Sequence, residues 1–162
     1  MKVLFVCLGN ICRSPLAQGL LEKEVAARGL DWSVDSAGTA GYHSGSPPDP
    51  RSVAVAAKYG LDISRQRSRK VTAADLDSYD LILGLDRQNV ANLLELVGRG
   101  QNNAVAESRR RKIHPLLVYV GLAETEGADV FDPYYDDDAY EPVYQQLKRA
   151  VAELIGRLTN QG

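Results

Sequence analysis

Cysteine and histidine are scarce in this chain of 162 residues, which contains two of each: Cys7, Cys12, His43 and His114. Two cysteines cannot provide the disulfide framework of a small secreted protein, so we expect a reducing, cytoplasmic setting. No histidines and carboxylates cluster with the spacing of metal ligands. We therefore expect neither a metal nor another cofactor.

Long apolar runs are also absent, since no stretch approaches the roughly 20 residues that a transmembrane helix needs. Met1 and Lys2 lead directly into an apolar segment, and we expect no signal peptide. The formal net charge of −2 gives no general attraction for nucleic acid. We expect neither a membrane nor a nucleic acid as partner, and the oligomeric state stays open.

Segments with strand and helix periodicity alternate along the chain without repeats or linkers, and the length suits one domain, 1–162. Strands are predicted at Val3–Cys7, Ser33–Ser36, Leu81–Leu85 and Pro115–Val120. Helices are predicted at about Pro15–Arg28, Arg51–Tyr59, Ala73–Asp77, Arg87–Val97 and from Glu141 onward. The alternation predicts an α/β fold, with a four-stranded parallel sheet flanked by helices on both faces. Ligands bind at the carboxyl ends of such strands, where we expect Cys7, Ser36, Asp86 and Asp132.

The polar, arginine-rich segment Gly98–Lys112 is predicted to be a mobile excursion before the fourth strand. It ends in a run of four basic residues, Arg109, Arg110, Arg111 and Lys112. Such a run is more often a solvated charged face than a patch for an acidic partner, and we favour the first interpretation.

A cysteine begins the loop between the first predicted strand and the first predicted helix, and an arginine and a serine end it. Residues 7–14 read Cys-Leu-Gly-Asn-Ile-Cys-Arg-Ser. The N–H groups of a tight loop and the N-terminal end of the next helix form a cradle for an oxyanion. This setting activates the Cys7 thiol as a nucleophile, and Arg13 is close enough to bind two phosphate oxygens. The pattern predicts phosphoryl transfer through a cysteine, the alternative being a buried strand-end cysteine.

This loop, Cys-x5-Arg-Ser with Gly9 and Asn10 inside it, resembles the active-site loop of the low-molecular-weight protein tyrosine phosphatases. The resemblance spans nearly the whole chain, in the expected order, through Asp35-Ser36-Ala37-Gly38-Thr39, Pro47-Pro48-Asp49-Pro50-Arg51, Leu85-Asp86 and Asp132-Pro133-Tyr134-Tyr135. It implies hydrolysis of phosphotyrosine in proteins and of small aryl phosphates, through a phosphocysteine, with inorganic phosphate as product. It also implies a nucleophile at Cys7, a phosphate clamp at Arg13 and a general acid/base at Asp132.

Two of these roles have ordinary alternatives. The ordinary alternative for Arg13 is a surface arginine at the start of a helix. An arginine is electrostatically unfavourable there unless an anion binds, so its position favours a bound anion. Asp132-Pro133 has no helix after it and is either a turn initiator or an acid held in extended backbone. By contrast, Asp49-Pro50 precedes an Ala/Val-rich helical run and is interpreted as a helix cap.

The remaining loop residues are expected to shape or support the phosphate site. Gly9 and Asn10 lie where the loop must turn sharply, and we expect positive φ angles there. Ser14 either caps the helix that Pro15 begins or donates a hydrogen bond to the Cys7 sulfur, and both roles are compatible. The resemblance implies that Asn10 and Ser36 hold the loop together, with Asp86 as a further support. Many relatives carry a histidine in this network, where our alignment places Gln66.

Aromatic and apolar residues are predicted to line the substrate pocket. Tyr42, Tyr134 and Tyr135 would form walls for a phenyl ring, while Leu8 and Ile11 would form the apolar rim of the loop. Related arginine phosphatases carry a threonine at the position of Ile11. The isoleucine therefore favours an aryl phosphate over phosphoarginine.

Cys12 is either a small buried apolar residue or the partner of Cys7 in an oxidised disulfide that protects the nucleophile. Three other functions remain possible for the chain as a whole. An arsenate reductase would need further cysteines, which this chain lacks. An arginine phosphatase is disfavoured by Ile11 and Tyr134, and a silent phosphate-binding module would need neither a thiol nor a proton donor.

Overall fold

The computed structural model of the chain describes residues 1–98 and 102–160. Its strands are β1 (Lys2–Cys7), β2 (Ser33–Gly38), β3 (Leu81–Gly84) and β4 (Ile113–Pro115). Its helices are α1 (Arg13–Ala27), α2 (Pro50–Lys58), α3 (Ala73–Ser78), α4 (Arg87–Val97), α5 (Asn103–Arg110), α6 (Leu116–Tyr119), α7 (Ala123–Glu126) and α8 (Tyr140–Thr159), and a 3-10 helix covers Asp137–Ala139. The strands pair in the order β2-β1-β3-β4, and every pair is parallel. The predicted four-stranded parallel sheet is confirmed.

Both faces of the sheet are covered, as the alternation of side chains along β1 requires. Val3, Phe5 and Cys7 face a cluster that includes apolar residues of α1, α2 and α8. Leu4 and Val6 face the opposite cluster, to which α3, α4 and α5 contribute. Burying a side chain such as Phe5 stabilises the fold by about 1.5–3 kcal/mol. The prediction of helices on both faces is confirmed.

The fourth strand differs from its prediction at Pro115–Val120, because β4 ends where that range begins. The apolar run after Pro115 forms α6, closed by hydrogen bonds from Val120 N to Leu116 O and from Leu122 N to Leu117 O. A short apolar run cannot be assigned to strand or buried helix by periodicity alone. Leu116 and Leu117 are buried while Val118 is half exposed, a pattern that suits one helical turn.

The segment Gly98–Lys112 also differs from its prediction, apart from residues 99–101, which lie outside the described part of the chain. Most of it forms α5, and Arg109 is not a solvated charge. Its side chain is buried, with Nη2 2.8 Å from Asp77 Oδ2 and Nη1 donating to Val97 O at 3.0 Å. A helix and an ion pair between the buried Arg109 and the half-exposed Asp77 thus replace the expected mobile excursion. Arg110 and Arg111 are exposed and pair with Glu107.

The carboxyl ends of β1 and β2 come very close together, and this requires a glycine. A Cβ atom at Gly38 would lie 2.7 Å from Leu8 O and 3.2 Å from Asn10 Cβ. No side chain fits at the first of these distances, so only glycine allows β2 to end against the loop that follows β1. This contact brings the Cys7 loop and the end of β2 together.

Candidate active site

The loop between β1 and α1 is folded so that its carbonyl groups face outward. Five of its carbonyl oxygens accept hydrogen bonds of 2.8–3.3 Å from neighbouring segments, those of Cys7, Leu8, Gly9, Ile11 and Cys12. The donors are the backbone N–H groups of Thr39, Ala40 and Asp49 and the hydroxyls of Ser52 and Ser68. In a trans peptide the next N–H points opposite to the carbonyl. The loop therefore directs a set of N–H donors inward, which is the geometry that an oxyanion cradle requires.

The Cys7 sulfur lies inside this loop and makes two hydrogen-bond contacts. Asn10 N lies 3.3 Å from Cys7 Sγ, and Ser14 Oγ lies 3.0 Å from it. The helix α1 begins at Arg13, so Cys12 and not Ser14 occupies the N-cap position, without a side-chain cap. The capping role predicted for Ser14 is therefore wrong, and its contact with the Cys7 sulfur is present.

Asn10 organises the floor of the loop with every hydrogen-bonding atom of its side chain. Its Nδ2 donates to Ser14 Oγ at 2.8 Å and to Ser36 Oγ at 2.9 Å, and its Oδ1 accepts from Arg69 N at 3.1 Å. Because the amide occupies an acceptor site on the Ser14 oxygen, the hydroxyl proton of Ser14 is free to be donated to Cys7 Sγ. The asparagine also has a φ of 58°, as predicted.

Gly9 has no positive φ, so that part of the prediction is wrong. The glycine instead leaves room for His43, because a Cβ at this position would lie 3.1 Å from His43 Cδ2, a tight contact. The sharp turn of the loop therefore rests on Asn10 alone, which tolerates the left-handed region better than most residues.

The hydrogen-bond network beneath the loop continues from Ser36 to Gln18, a residue that the sequence analysis did not identify. Ser36 Oγ donates to Gln18 Oε1 at 2.6 Å, and Gln18 Nε2 donates to Glu22 Oε1 at 2.6 Å. Gln66, aligned with the histidine of relatives, donates to Pro15 O at 3.0 Å and leaves its Oε1 buried without a partner. Within the described residues, Gln18 rather than Gln66 supports Ser36.

Two substitutions of Asn10 distinguish the contribution of its backbone conformation to stability from the contribution of its hydrogen bonds. Asn10→Ala and Asn10→Gly both remove the bonds to Ser14, Ser36 and Arg69, and we expect each to lower the free energy of unfolding by about 1–3 kcal/mol. Alanine also meets the positive φ, so Asn10→Ala should be less stable than Asn10→Gly by about 1 kcal/mol. Urea denaturation measures the stability and aryl phosphate hydrolysis measures the activity, which should fall in both variants. A fully active, fully stable Asn10→Gly would contradict this account.

Arg13 is buried in spite of its charge, and acidic groups surround its guanidinium. Nη1 lies 2.7 Å from Asp86 Oδ2 and donates to Val130 O at 2.8 Å, while Nη2 lies 3.8 Å from Asp132 Oδ2. Burial alone would lower the pKa of Arg13, but the negative charges of Cys7, Asp86 and Asp132 outweigh burial and raise it. The guanidinium is thus a permanent, fixed cation at the rim of the loop.

A pocket of about 290 Å³ opens above the Cys7 loop, and its lining contains most of the predicted site residues. They are Cys7, Leu8, Gly9, Ile11, Cys12, Arg13, Tyr42, Asp132, Tyr134 and Tyr135. Asn10, Ser14, Ser36 and Asp86 lie behind this surface. Tyr42 and Tyr135 are 82% and 95% exposed, so the walls that they form are open to solvent.

Asp132 stands at the pocket mouth with its carboxyl group half exposed. Its Oδ1 accepts a hydrogen bond from Tyr134 N at 3.1 Å, which is a local turn of the kind that an Asp-Pro pair initiates. The two interpretations of Asp132-Pro133 are therefore compatible, because the same carboxyl group closes the turn and faces the pocket. Asp49 caps α2 through Arg51 N at 2.9 Å, with Pro50 at the first helical position, as predicted.

His43 also lines the pocket and was not predicted as a site residue. Its ring lies against Gly9. The two residues are far apart in the sequence, so the sequence does not reveal this contact. The only sequence signal for it is its position directly after Tyr42.

Cys12 is a free, buried thiol, as is Cys7. Its sulfur lies 3.3 Å from Tyr140 Oη. Burial raises the pKa of Cys12 to about 11, although the hydrogen bond with Tyr140 acts in the opposite direction. Cys12 is therefore a neutral thiol near pH 7, which suits a buried apolar residue, and the disulfide with Cys7 stays a prediction.

Two kinds of feature are missing from residues 1–98 and 102–160. No helix there is long and apolar enough to cross a membrane. Nor do three or more histidine, cysteine, aspartate or glutamate side chains gather there in a way that could hold a metal ion.

Comparisons with known proteins agree on one family. A family model described as low molecular weight phosphotyrosine protein phosphatase matches residues 2–162. The human low molecular weight phosphotyrosine protein phosphatase is 38% identical over 151 residues, which cover 91% of this chain and 89% of the human protein.

Solved structures give the same result. A protein tyrosine phosphatase from Entamoeba histolytica, crystallised with Hepes in the active site, has a TM-score of 0.86 and 32% identity, with 99% of this chain and 98% of that one covered. A Drosophila arginine phosphatase has a TM-score of 0.87 and 30% identity, with 98% of both chains covered. The chain therefore belongs to the low molecular weight phosphotyrosine protein phosphatase family, a family of phosphatase enzymes.

Proposed function

We propose that this chain hydrolyses phosphotyrosine in proteins, and small aryl phosphates, through a phosphocysteine formed on Cys7. The observation that carries the proposal is the sulfur of Cys7 within a loop whose N–H groups face inward, beside the buried guanidinium of Arg13. A phosphate dianion needs donors and fixed positive charge on its oxygens, and this loop offers both around one nucleophile.

In the first step, the Cys7 thiolate attacks phosphorus in line with the departing phenolate. The S–P bond forms while the bond from phosphorus to the aryl oxygen breaks. Loop N–H groups and Arg13 stabilise the charge on the three equatorial oxygens. Asp132, which lines the pocket, gives its proton to the phenolate oxygen.

In the second step, water attacks the phosphorus of the phosphocysteine. The Asp132 carboxylate accepts a proton from this water, and the S–P bond breaks to release inorganic phosphate. Cys7 now leaves as a thiolate, and the Ser14 hydroxyl, 3.0 Å from the sulfur, stabilises that charge. The orientation of Ser14 by Asn10 therefore contributes mainly to this step.

The pocket walls favour an aryl group over a guanidinium group. Leu8, Ile11 and three tyrosines surround the mouth, and these side chains suit a phenyl ring. The likeness to the Drosophila arginine phosphatase makes phosphoarginine the second candidate substrate. Ile11 weighs against it, because its side chain lines the pocket and offers no hydrogen bond to a guanidinium nitrogen.

A panel of three phosphopeptides tests the proposed substrate. Peptides of one sequence carrying phosphotyrosine, phosphoserine or phosphoarginine are hydrolysed in parallel, and kcat/KM is measured from phosphate release. We expect phosphotyrosine to exceed both others by at least about tenfold, and Ile11→Thr to shift the ratio toward phosphoarginine. A preference for phosphoarginine in the unaltered chain would overturn the assignment of substrate, and release from none of the three would overturn the assignment of activity.

The proposed partners are phosphotyrosine-containing proteins, in keeping with the family. Free thiols at Cys7 and Cys12 fit a reducing compartment, and a cytoplasmic location stays a prediction.

A further inference from the structure

Arg51, near the start of α2, makes more contacts with charged and aromatic groups than its exposed position would lead one to expect. Its Nε and Nη2 donate to the two carboxylate oxygens of Asp49 at 3.0 and 2.9 Å, and its Nη1 donates to Asp137 Oδ1 at 2.6 Å. The guanidinium also lies over the rings of Tyr134 and Tyr140, 5.5 and 4.7 Å from their centroids. One cation thus joins α2 to the chain segment that carries Asp132.

That segment, Phe131–Asp138, is called the acid loop below. Most of its residues are exposed, Phe131 at 59% and Tyr135 at 95%, while Pro133 is buried. Its own hydrogen bonds are local turns, such as Tyr134 N to Asp132 Oδ1 and Asp136 N to Pro133 O. Among the side-chain hydrogen bonds of residues 1–98 and 102–160, Arg51–Asp137 is the one that joins this loop to a distant segment, beside the longer Arg13–Asp132 contact at 3.8 Å.

The other end of this connection is firmly attached to the Cys7 loop. Asp49 N donates to Ile11 O at 2.8 Å, and Ser52 Oγ donates to Cys12 O at 3.3 Å. The hydrogen bonds from Arg51 also hold the pKa of Asp49 below its usual range, so the Asp49–Arg51 pair stays charged at neutral and mildly acidic pH. Arg51 therefore extends from a fixed support.

Arg51 reaches Asp132 through a single intermediate residue. The guanidinium packs on the ring of Tyr134, whose backbone N–H is hydrogen bonded to the Asp132 carboxyl group. We propose that Arg51 is a positioning residue that holds the acid loop against the Cys7 loop, so that Asp132 and the Tyr134 ring stay in place above the nucleophile. This inference rests on the proposed function of Asp132 as the proton donor.

Leaving-group dependence gives the test, because a poor leaving group needs the proton from Asp132 and a good one does not. We expect Arg51→Ala to lower kcat/KM for phenyl phosphate by about 10- to 100-fold, the usual consequence of a misplaced catalytic group. For 2,4-dinitrophenyl phosphate, which has a good leaving group, kcat/KM should change less than about threefold, because kcat/KM contains the first step and not the second, in which Asp132 accepts a proton from water. Inhibition by inorganic phosphate should also change less than about threefold.

Three further variants refine the test. Asp137→Asn removes the salt bridge of Arg51 with an exposed residue. It should lower the rate less than Arg51→Ala does, and again more for phenyl phosphate than for 2,4-dinitrophenyl phosphate. Arg51→Lys keeps the charge but loses the two-pronged geometry, so it should restore only part of the rate. As a control, Arg149→Ala breaks another ion pair, with Glu126 at 2.5 Å, and should leave the rate of hydrolysis of both substrates unchanged.

Two outcomes would overturn the inference. One is an equal loss of kcat/KM for both leaving groups, which indicates general damage to the fold; the other is no loss of kcat/KM at all in Arg51→Ala and Asp137→Asn. Failure of the proposed function looks different, because Asp132→Asn would then also leave phenyl phosphate hydrolysis intact.

Discussion

Cys7→Ser is expected to abolish turnover of phosphotyrosine and of any aryl phosphate. A hydroxyl in place of the thiol is not ionised at neutral pH and is a poor leaving group in the second step. Loss of a covalent nucleophile lowers kcat by roughly 10⁴-fold or more in well-studied hydrolases. The inward N–H groups and Arg13 are untouched, so inorganic phosphate should still bind. Stopped assays measure the rate, and isothermal titration with phosphate measures the binding.

The second cysteine provides a matched control for this variant. Cys12 belongs to the same loop, is also buried, and differs from Cys7 in facing Tyr140 instead of Ser14. Cys12→Ser should therefore lower kcat by less than about tenfold, because its thiol is not the attacking group. Comparable losses in the two variants would mean that the loop, and not the sulfur of Cys7, determines the rate.

Asp132→Asn is expected to have the second largest effect. An amide cannot supply a proton to the leaving oxygen, so kcat/KM for phosphotyrosine should fall by about 10²- to 10⁴-fold. A substrate with a good leaving group, such as 2,4-dinitrophenyl phosphate, should lose far less in kcat/KM, because kcat/KM does not contain the second step, in which Asp132 acts as the base. The Arg13 guanidinium, held by Asp86 at 2.7 Å, keeps its place, and inhibition by inorganic phosphate should stay nearly constant.

Asp136→Asn is the control, since Asp136 lies in the same acid loop but does not line the Cys7 pocket. It should reduce kcat by less than about twofold. The assignment of Asp132 as the general acid fails if its replacement lowers kcat/KM for substrates with good and poor leaving groups to the same extent.

Much of the site could be predicted because its central residues are contiguous in the sequence. Cys7 to Ser14 form one loop, and strand periodicity alone placed this loop at the carboxyl edge of a parallel sheet. Asp86 was expected at the same edge because it directly follows a predicted strand, and it pairs with Arg13 there. Contacts within eight residues, or at the ends of adjacent strands, follow from local patterns.

Contacts between distant segments could not be predicted in this way. Gln18 supports Ser36 only because α1 and β2 pack side by side, and Arg51 meets Asp137 across 86 positions. The fold of the run after Pro115 and the ion pair of Arg109 with Asp77 also depend on tertiary packing. A single sequence carries no local signal for any of these pairings.

Trapping the phosphoenzyme tests the central claim most directly. Asp132→Asn is mixed with a dinitrophenyl phosphate, which still phosphorylates the enzyme, and the reaction is quenched in acid within milliseconds to seconds. The account predicts that mass spectrometry finds one phosphoryl group, on the peptide that contains Cys7 and attached to its sulfur. Steady turnover of that substrate with no phosphoryl group on Cys7 at any quench time would contradict it.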